Sequence, residues 1–307
     1  MIGTGGTIAS VPSEDGLIPA LDGNALLELV PGLEGQCIID CKEILNLDSS
    51  NLEPCHWQQM VKTIEEHYSA YDGFVITHGT DTMAYSAAAL SQMLSNCQKP
   101  VVLTGAQLPI QAEGSDAPSN VLHAFMAACS SLQGVALVFG DKVIHGAHAK
   151  KLYTQNFNGF DSINRDPLAI INDDKFSWLD DLPQGGGYGN GTFNVNLGLE
   201  TKVAVVKLIP GTTPDILEFY LEKGYKGIIL EGFGAGGVPN SNNNWLPKVE
   251  ELLAAGIKVV CATQCLHDGV HLDTYPIGVL AKRLGAQSAE LDTLETTVVK
   301  LMRQLAE

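Results

Sequence analysis

The chain has 307 residues, 45% of them hydrophobic and 17% charged, enough for a large buried core and long for a single one, so two domains are expected. A formal net charge of −17 argues against nucleic acid and anionic membrane surfaces as partners, because both are bound by clustered Lys and Arg. No apolar run approaches the roughly 20 residues of a membrane span, and the N-terminus lacks a basic segment and a signal core, which points to a cytoplasmic protein.

The chain enters a glycine turn almost at once, Gly3-Thr4-Gly5-Gly6-Thr7-Ile8-Ala9. An echo follows at His78-Gly79-Thr80-Asp81-Thr82, after the apolar run Phe74–Thr77. Between them, Asp48-Ser49-Ser50-Asn51 reads as a polar turn or helix cap. Phe74–Thr77, Val101–Thr104 and Ala136–Phe139 are short, almost wholly apolar runs that suit strands covered on both faces. Met83–Cys97, with Met83, Ala87, Leu90, Leu94 and Cys97 at helical spacing, reads as a helix whose stripe is core, and Asn120–Leu132 as another.

From Pro183 to Leu199 the character changes, and Gln184–Gly191 is glycine-rich with little to pack. The expected organisation is a catalytic N-terminal domain over 1–183, a linker over 184–200 and a C-terminal α/β domain over 201–307. In the latter, Val203–Leu208, Gly227–Leu230 and Ile257–Ala262 read as strands, and Asp215–Lys223, Leu246–Ala255 and Pro276–Gly285 as helices, a second and smaller parallel α/β domain. Seven scattered cysteines read as free cytosolic thiols, with Cys261 and Cys265 as small buried hydrophobes.

Parallel α/β sheets bind ligands beyond the carboxyl ends of their strands. Thr7, Thr80, Asp81 and Gly105-Ala106-Gln107 all follow apolar runs, so the rule gathers them into one crevice. A threonine on a glycine turn can aim its hydroxyl at a substrate rather than at a core. Thr7 fits neither a dinucleotide fingerprint, because Ile8 stands where a glycine is required, nor a P-loop, because no Lys-Ser/Thr pair follows; a structural turn and a nucleophile site both fit its spacing. Thr80 and Asp81 fit either a helix cap or a second hydroxyl beside a carboxylate that holds a substrate ammonium. Lys151, next to Lys150, reads as one of a solvated pair or as a base for a threonine. His145 and His148 lie three apart with no ligand to complete a zinc pattern.

Together these pieces resemble the bacterial-type L-asparaginase family, specifically its cytoplasmic type I branch. The likeness runs from Gly3 to about Met302. It rests on the strings at Thr4–Ala9 and His78–Tyr85, and on those at Asn46–Asn51, Val101–Pro109 and Gly224–Pro239. It implies a larger N-terminal α/β domain with a mostly parallel sheet, linked to a smaller C-terminal flavodoxin-like parallel α/β domain. It implies hydrolysis of L-asparagine to L-aspartate and ammonia, with at most minor glutaminase activity and no metal or organic cofactor, by a homodimer or homotetramer.

By the same resemblance, Thr7 is the nucleophile that forms an acyl-enzyme. Thr80, Asp81 and Lys151 form a second constellation that activates a hydroxyl or water. Asp48, Ser49 and Asp81 hold the α-carboxyl and α-amino ends, and the Ala106 carbonyl meets the leaving amide. Three departures stand out. A lid tyrosine of the family is matched by Leu17, an arginine of an allosteric site by Glu231, and only Met1-Ile2 precede the glycine turn. The runner-up reading is the amidase component of a transfer-RNA-dependent amidotransferase, which carries an extra N-terminal domain for which this chain has no room. A non-catalytic amino-acid sensor is the third, and the presence of Thr7 and Lys151 counts against it.

Overall fold

A computed structural model describes residues 1–14, 16–179 and 191–307. The chain divides into two compact units, Met1–Leu197 and Gly198–Glu307. The expected linker stretch Gln184–Gly191 lies, except for Gly191, outside the described residues.

The first unit begins with β1 (Ile2–Gly5), a hairpin of β2 (Ser10–Ser13) and β3 (Gly16–Pro19), a short helix α1 (Gly23–Leu27) and β4 (Lys42–Leu47). Then come α2 (Pro54–His67), β5 (Phe74–Thr77), α3 (Met83–Met93), β6 (Leu94–Ser95), β7 (Pro100–Thr104), α4 (Ala117–Ala128) and β8 (Gly134–Phe139). Six short strands follow: β9 (Lys142–His145), β10 (Ala149–Lys151), β11 (Phe160–Ser162), β12 (Ala169–Asn172), β13 (Lys175–Trp178) and β14 (Asn194–Val195). Eight of these strands make one sheet in the order β13-β12-β9-β8-β7-β5-β1-β4. It is parallel from β8 to β4 and antiparallel from β8 through β9 and β12 to β13.

The apolar runs explain the sheet's centre. Every residue of β5, β7 and β8 is buried, as strands covered on both faces must be. α3 contributes Met83, Ala87, Leu90 and Met93 to the core. The helix expected over Met83–Cys97 is shorter than its stripe. It stops at Met93, where Leu94–Ser95 pairs with β14 and Asn96 takes φ 55°. Leu94 and Cys97 are buried all the same, so apolar spacing marked the core correctly and the helix end wrongly. The helix expected over Asn120–Leu132 starts three residues earlier, at Ala117, because Pro118 is well placed in a first turn and its missing N–H costs nothing there.

The second unit contains β15 (Val203–Lys207), α5 (Ile216–Glu222), β16 (Gly227–Gly232), α6 (Leu246–Ala254), β17 (Lys258–Thr263), α7 (Pro276–Leu284), β18 (Gln287–Ser288) and α8 (Leu294–Gln304). Its sheet is parallel throughout, in sequential order. Cys261 is buried in β17, but Cys265 is exposed, because β17 ends at Thr263 and the chain turns out of the sheet there. Among the described residues, no helix is long and apolar enough to cross a membrane.

Candidate active site

The first glycine turn starts where β1 ends. Gly6 takes φ 84° and ψ 177°, a conformation reserved for glycine. A β-carbon on it would lie 2.4 Å from the Gly79 nitrogen, so the two glycine turns touch backbone to backbone. Thr7 opens a single 3-10 turn, Thr7–Ala9, and stays partly exposed. Its neighbour Thr4 is used internally, its hydroxyl donating to the Thr77 carbonyl at 2.8 Å across to β5.

The second turn leaves the carboxyl end of β5. Thr80 is buried, and Asp81 leaves most of its side chain in solvent. Lys151, at the end of β10, donates from Nζ to Thr80 Oγ1 at 2.8 Å and to Asp81 Oδ1 at 2.7 Å. It is 71 positions from Thr80 in sequence, and the β10–β11 pairing, with Lys151 opposite Phe160, delivers it. Successive strand residues face opposite ways, which is why Lys151 and not its neighbour reaches the turn. Neither Thr80 nor Asp81 caps α3. The capping position is Thr82, and its hydroxyl donates to the Ser49 carbonyl at 2.8 Å instead.

That bond ties in the third turn. Asp48 precedes a 3-10 turn over Ser49–Asn51, and its Oδ1 accepts from the Ser50 N–H at 2.8 Å and the Ser50 hydroxyl at 2.6 Å. These bonds lower the Asp48 pKa below the ordinary carboxylate value. Ser49 is buried with its hydroxyl 2.6 Å from where a Gly79 β-carbon would stand. Thr7, Ser49 and Thr80 therefore sit on turns that meet around Gly79.

Ala106 follows β7 and is buried, and its carbonyl accepts from no N–H among the described residues. The turn that carries it is held by Asp116 and Asn120, two residues the sequence did not single out. The Asp116 carboxylate accepts from the N–H groups of Gln107 at 3.0 Å and Leu108 at 3.1 Å. Asn120 Nδ2 donates to the Gly105 carbonyl at 3.0 Å and to Asp116 Oδ2 at 3.1 Å, and Asn120 Oδ1 accepts from the Gly140 N–H at 3.0 Å. Their signal was present: an acid followed four residues later by an amide, at the start of a helix opening with a proline, just beyond a glycine turn.

The N–H groups of Thr7 and Thr80 likewise donate to no acceptor among the described residues. The crevice thus offers two threonine hydroxyls, free main-chain donors, a lysine–aspartate pair and a free carbonyl. That set suits attack on a polarised carbonyl and departure of an amine. Leu17, half exposed on β3, stands in the hairpin that follows the first turn. In the second unit, Glu231 pairs with Lys207 at 3.2 Å at the carboxyl ends of their strands. His145 and His148 stack edge to face at 5.5 Å, and no group of three or more His, Cys, Asp or Glu among the described residues could hold a metal ion.

Comparison with known proteins gives this arrangement its context. Residues 1–184 match the family described as asparaginase, N-terminal, and residues 202–307 match the glutaminase/asparaginase C-terminal domain. An L-asparaginase of Thermococcus kodakarensis is 39% identical over 98% of this chain and 90% of its own length. The solved structure of the thermostable L-asparaginase from that organism covers all of this chain and 92% of its own, at 38% identity and a TM-score of 0.92. A probable cytoplasmic L-asparaginase from Campylobacter jejuni superposes at 28% identity and a TM-score of 0.83, covering all of this chain and 94% of its own. A component of the glutamyl-tRNA(Gln) amidotransferase of Pyrococcus furiosus is 37% identical over 98% of this chain and 70% of its own length. The chain belongs to the asparaginase family of amidohydrolases.

Proposed function

We propose that this protein is an L-asparaginase, hydrolysing L-asparagine to L-aspartate and ammonia in two steps. The observation that carries the reading is the contact of Lys151 Nζ with both Thr80 Oγ1 and Asp81 Oδ1, on a turn that packs against the Thr7 turn. In the first step the Thr7 hydroxyl oxygen attacks the side-chain amide carbon. The amide nitrogen leaves as ammonia, carrying the hydroxyl proton, and an ester to Thr7 remains. In the second step water attacks that ester and releases aspartate. Lys151 donates to the Thr80 oxygen and so polarises the Thr80 hydroxyl, making its hydrogen a stronger donor into the crevice, while Asp81 balances the lysine. The Thr7 and Thr80 N–H groups are the donors for the oxyanion, an effect worth about 3 kcal/mol per donor in comparable sites.

Asp48 and Ser49 bind the α-carboxyl and α-amino ends of the substrate, with Asp81 on the ammonium, and the Ala106 carbonyl accepts from the leaving amide. Glutamine is a minor substrate, since one methylene discriminates by about 1–3 kcal/mol. No cofactor takes part. The protein works in the cytoplasm as a homodimer or homotetramer. The kinship with a glutamyl-tRNA(Gln) amidotransferase component supports a second reading, in which ammonia passes to a partner protein.

The deciding experiment is ammonia release by the purified chain from L-asparagine and L-glutamine, with Thr7→Ala and Thr80→Ala alongside. Turnover of free asparagine that both variants lose supports the asparaginase. A chain that is inert alone on both amides refutes it in favour of the partner-dependent amidase, and one that binds aspartate without turnover favours the sensor.

A further inference from the structure

The second turn carries a histidine that no role above uses. His78 is completely buried, and both ring nitrogens are hydrogen bonded. Nδ1 lies 2.7 Å from the Gly79 carbonyl oxygen, which can only accept, so Nδ1 carries a proton. Nε2 lies 2.8 Å from Ser86 Oγ on α3, and Ser86 Oγ takes the indole N–H of Trp57 on α2 at 2.9 Å. Burial keeps the ring neutral, its pKa pushed down to about 4, so Nε2 is the acceptor. The donations therefore run one way: Trp57 N–H to Ser86 Oγ, Ser86 O–H to His78 Nε2, His78 Nδ1–H to the Gly79 carbonyl. Every member is satisfied, which is what makes a buried network rigid rather than costly.

Gly79 is where the three turns meet, pressed by Gly6 on one side and by Ser49 on another. There are no cis peptide bonds among the described residues, and in a trans peptide the carbonyl and the following N–H point in opposite directions. Holding the Gly79 carbonyl against the histidine ring thus turns the Thr80 N–H to the other side. That N–H is one of the two left without an acceptor.

We infer that His78 is a positioning residue: by donating from Nδ1 to the Gly79 carbonyl it fixes the Gly79–Thr80 peptide plane and aims the Thr80 N–H and hydroxyl at the reacting amide. The inference rests on the asparaginase reading. It makes the aromatic anchor Trp57 and the helix residue Ser86 parts of one support, spanning two helices and ending at the reacting groups. A packing role alone would not require a particular ring nitrogen to carry the proton.

The test uses that requirement. His78→Asn keeps an N–H donor near the δ position and loses the contact to Ser86, whereas His78→Gln keeps an amide near the ε position and loses the donor to Gly79. For wild type, both variants and Ser86→Ala, kcat and KM for L-asparagine, the Kd of L-aspartate and the thermal midpoint are measured. We expect His78→Gln to lose about 100-fold in kcat, the scale of a misdirected oxyanion donor, with KM and aspartate affinity within about threefold. His78→Asn should stay within about tenfold of wild type even where its thermal midpoint falls further. If His78→Gln keeps wild-type kcat, or kcat follows the thermal midpoint across the set, the inference is overturned. Should neither histidine variant fold, Ser86→Ala decides, with a kcat loss of about tenfold at constant KM expected and an unchanged kcat overturning it. A wild type inert towards asparagine refutes the asparaginase reading itself, and this inference with it.

Discussion

Replacing Gly6 with alanine is the sharpest test of how the crevice is built. Its φ of 84° with ψ of 177° costs a side-chain-bearing residue about 1–3 kcal/mol. The new methyl would also stand 2.4 Å from the nitrogen and 2.5 Å from the α-carbon of Gly79, neither of which can rotate away. Relief requires the turns to part by the better part of an ångström, an overpacking cost of about 1–3 kcal/mol more. The sum, about 4 kcal/mol, is a large part of the roughly 5–15 kcal/mol that holds a domain folded, so the variant folds with reduced stability. Parting the turns displaces Thr7 from Thr80, and a shift of that size costs about 100-fold in rate. Urea unfolding and steady-state ammonia release measure the two effects. Gly35→Ala is the control, because φ is also positive there, at 79°, but nothing lies within 4 Å of the new methyl. It should cost about 1–2 kcal/mol and leave kcat alone. If Gly6→Ala matches that control in both readouts, the close contact of the two turns does not hold the crevice together.

Lys151→Met removes the amine that touches Thr80 and Asp81 while keeping the stem; kcat should fall about 100- to 10,000-fold with little change in thermal midpoint, and a loss under tenfold would exclude Lys151 from the chemistry. Asp116→Asn weakens the carboxylate that accepts from Gln107 and Leu108, and an expected loss of about 2–3 kcal/mol in urea should accompany a fall in activity as the Ala106 turn loosens. Acid should destabilise the fold. Burial holds His78 near pKa 4, and burial aided by the positive charges of His148 and Arg165 does the same for His145. The unfolded chain therefore binds protons below about pH 6.5 that the folded chain refuses, and stability falls as pH drops from there towards 4. Between pH 7 and 5 each histidine should account for about 2 kcal/mol, read as a falling urea midpoint, and a midpoint flat over that range would contradict the buried neutral rings.

Local sequence determined a good deal of this protein. Short, almost wholly apolar runs announced β5, β7 and β8, because strands covered on both faces are filled mainly by apolar side chains. The apolar–glycine–threonine turns marked the carboxyl ends of β1 and β5, where an open parallel sheet leaves its backbone donors unpaired. The parallel second unit was equally plain from its alternating runs. What ended an element was less legible. Apolar spacing carried α3 past Met93, since Leu94 and Cys97 face the same core from a strand and a turn. Cys265 lay outside the core because β17 stops two residues before it.

The site itself was legible as candidates and not as an assembly. Lys151 resembled half of a solvated pair, and only the β10–β11 pairing brought it to Thr80, 71 positions away in sequence. His78, Ser86 and Trp57 are separated by 8 and 29 positions and carry no motif that joins them. Asn120 read only as the first residue of an ordinary helix and Asp116 lay outside that reading, because the backbone groups they hold, on the Gly105–Leu108 turn, are neighbours in space and not in period. Residue type and local period are set by neighbours within a few positions, so one chain in one dimension displays them. Which buried donor meets which acceptor depends on where the sheet order returns the chain, and that is decided only when the whole core closes.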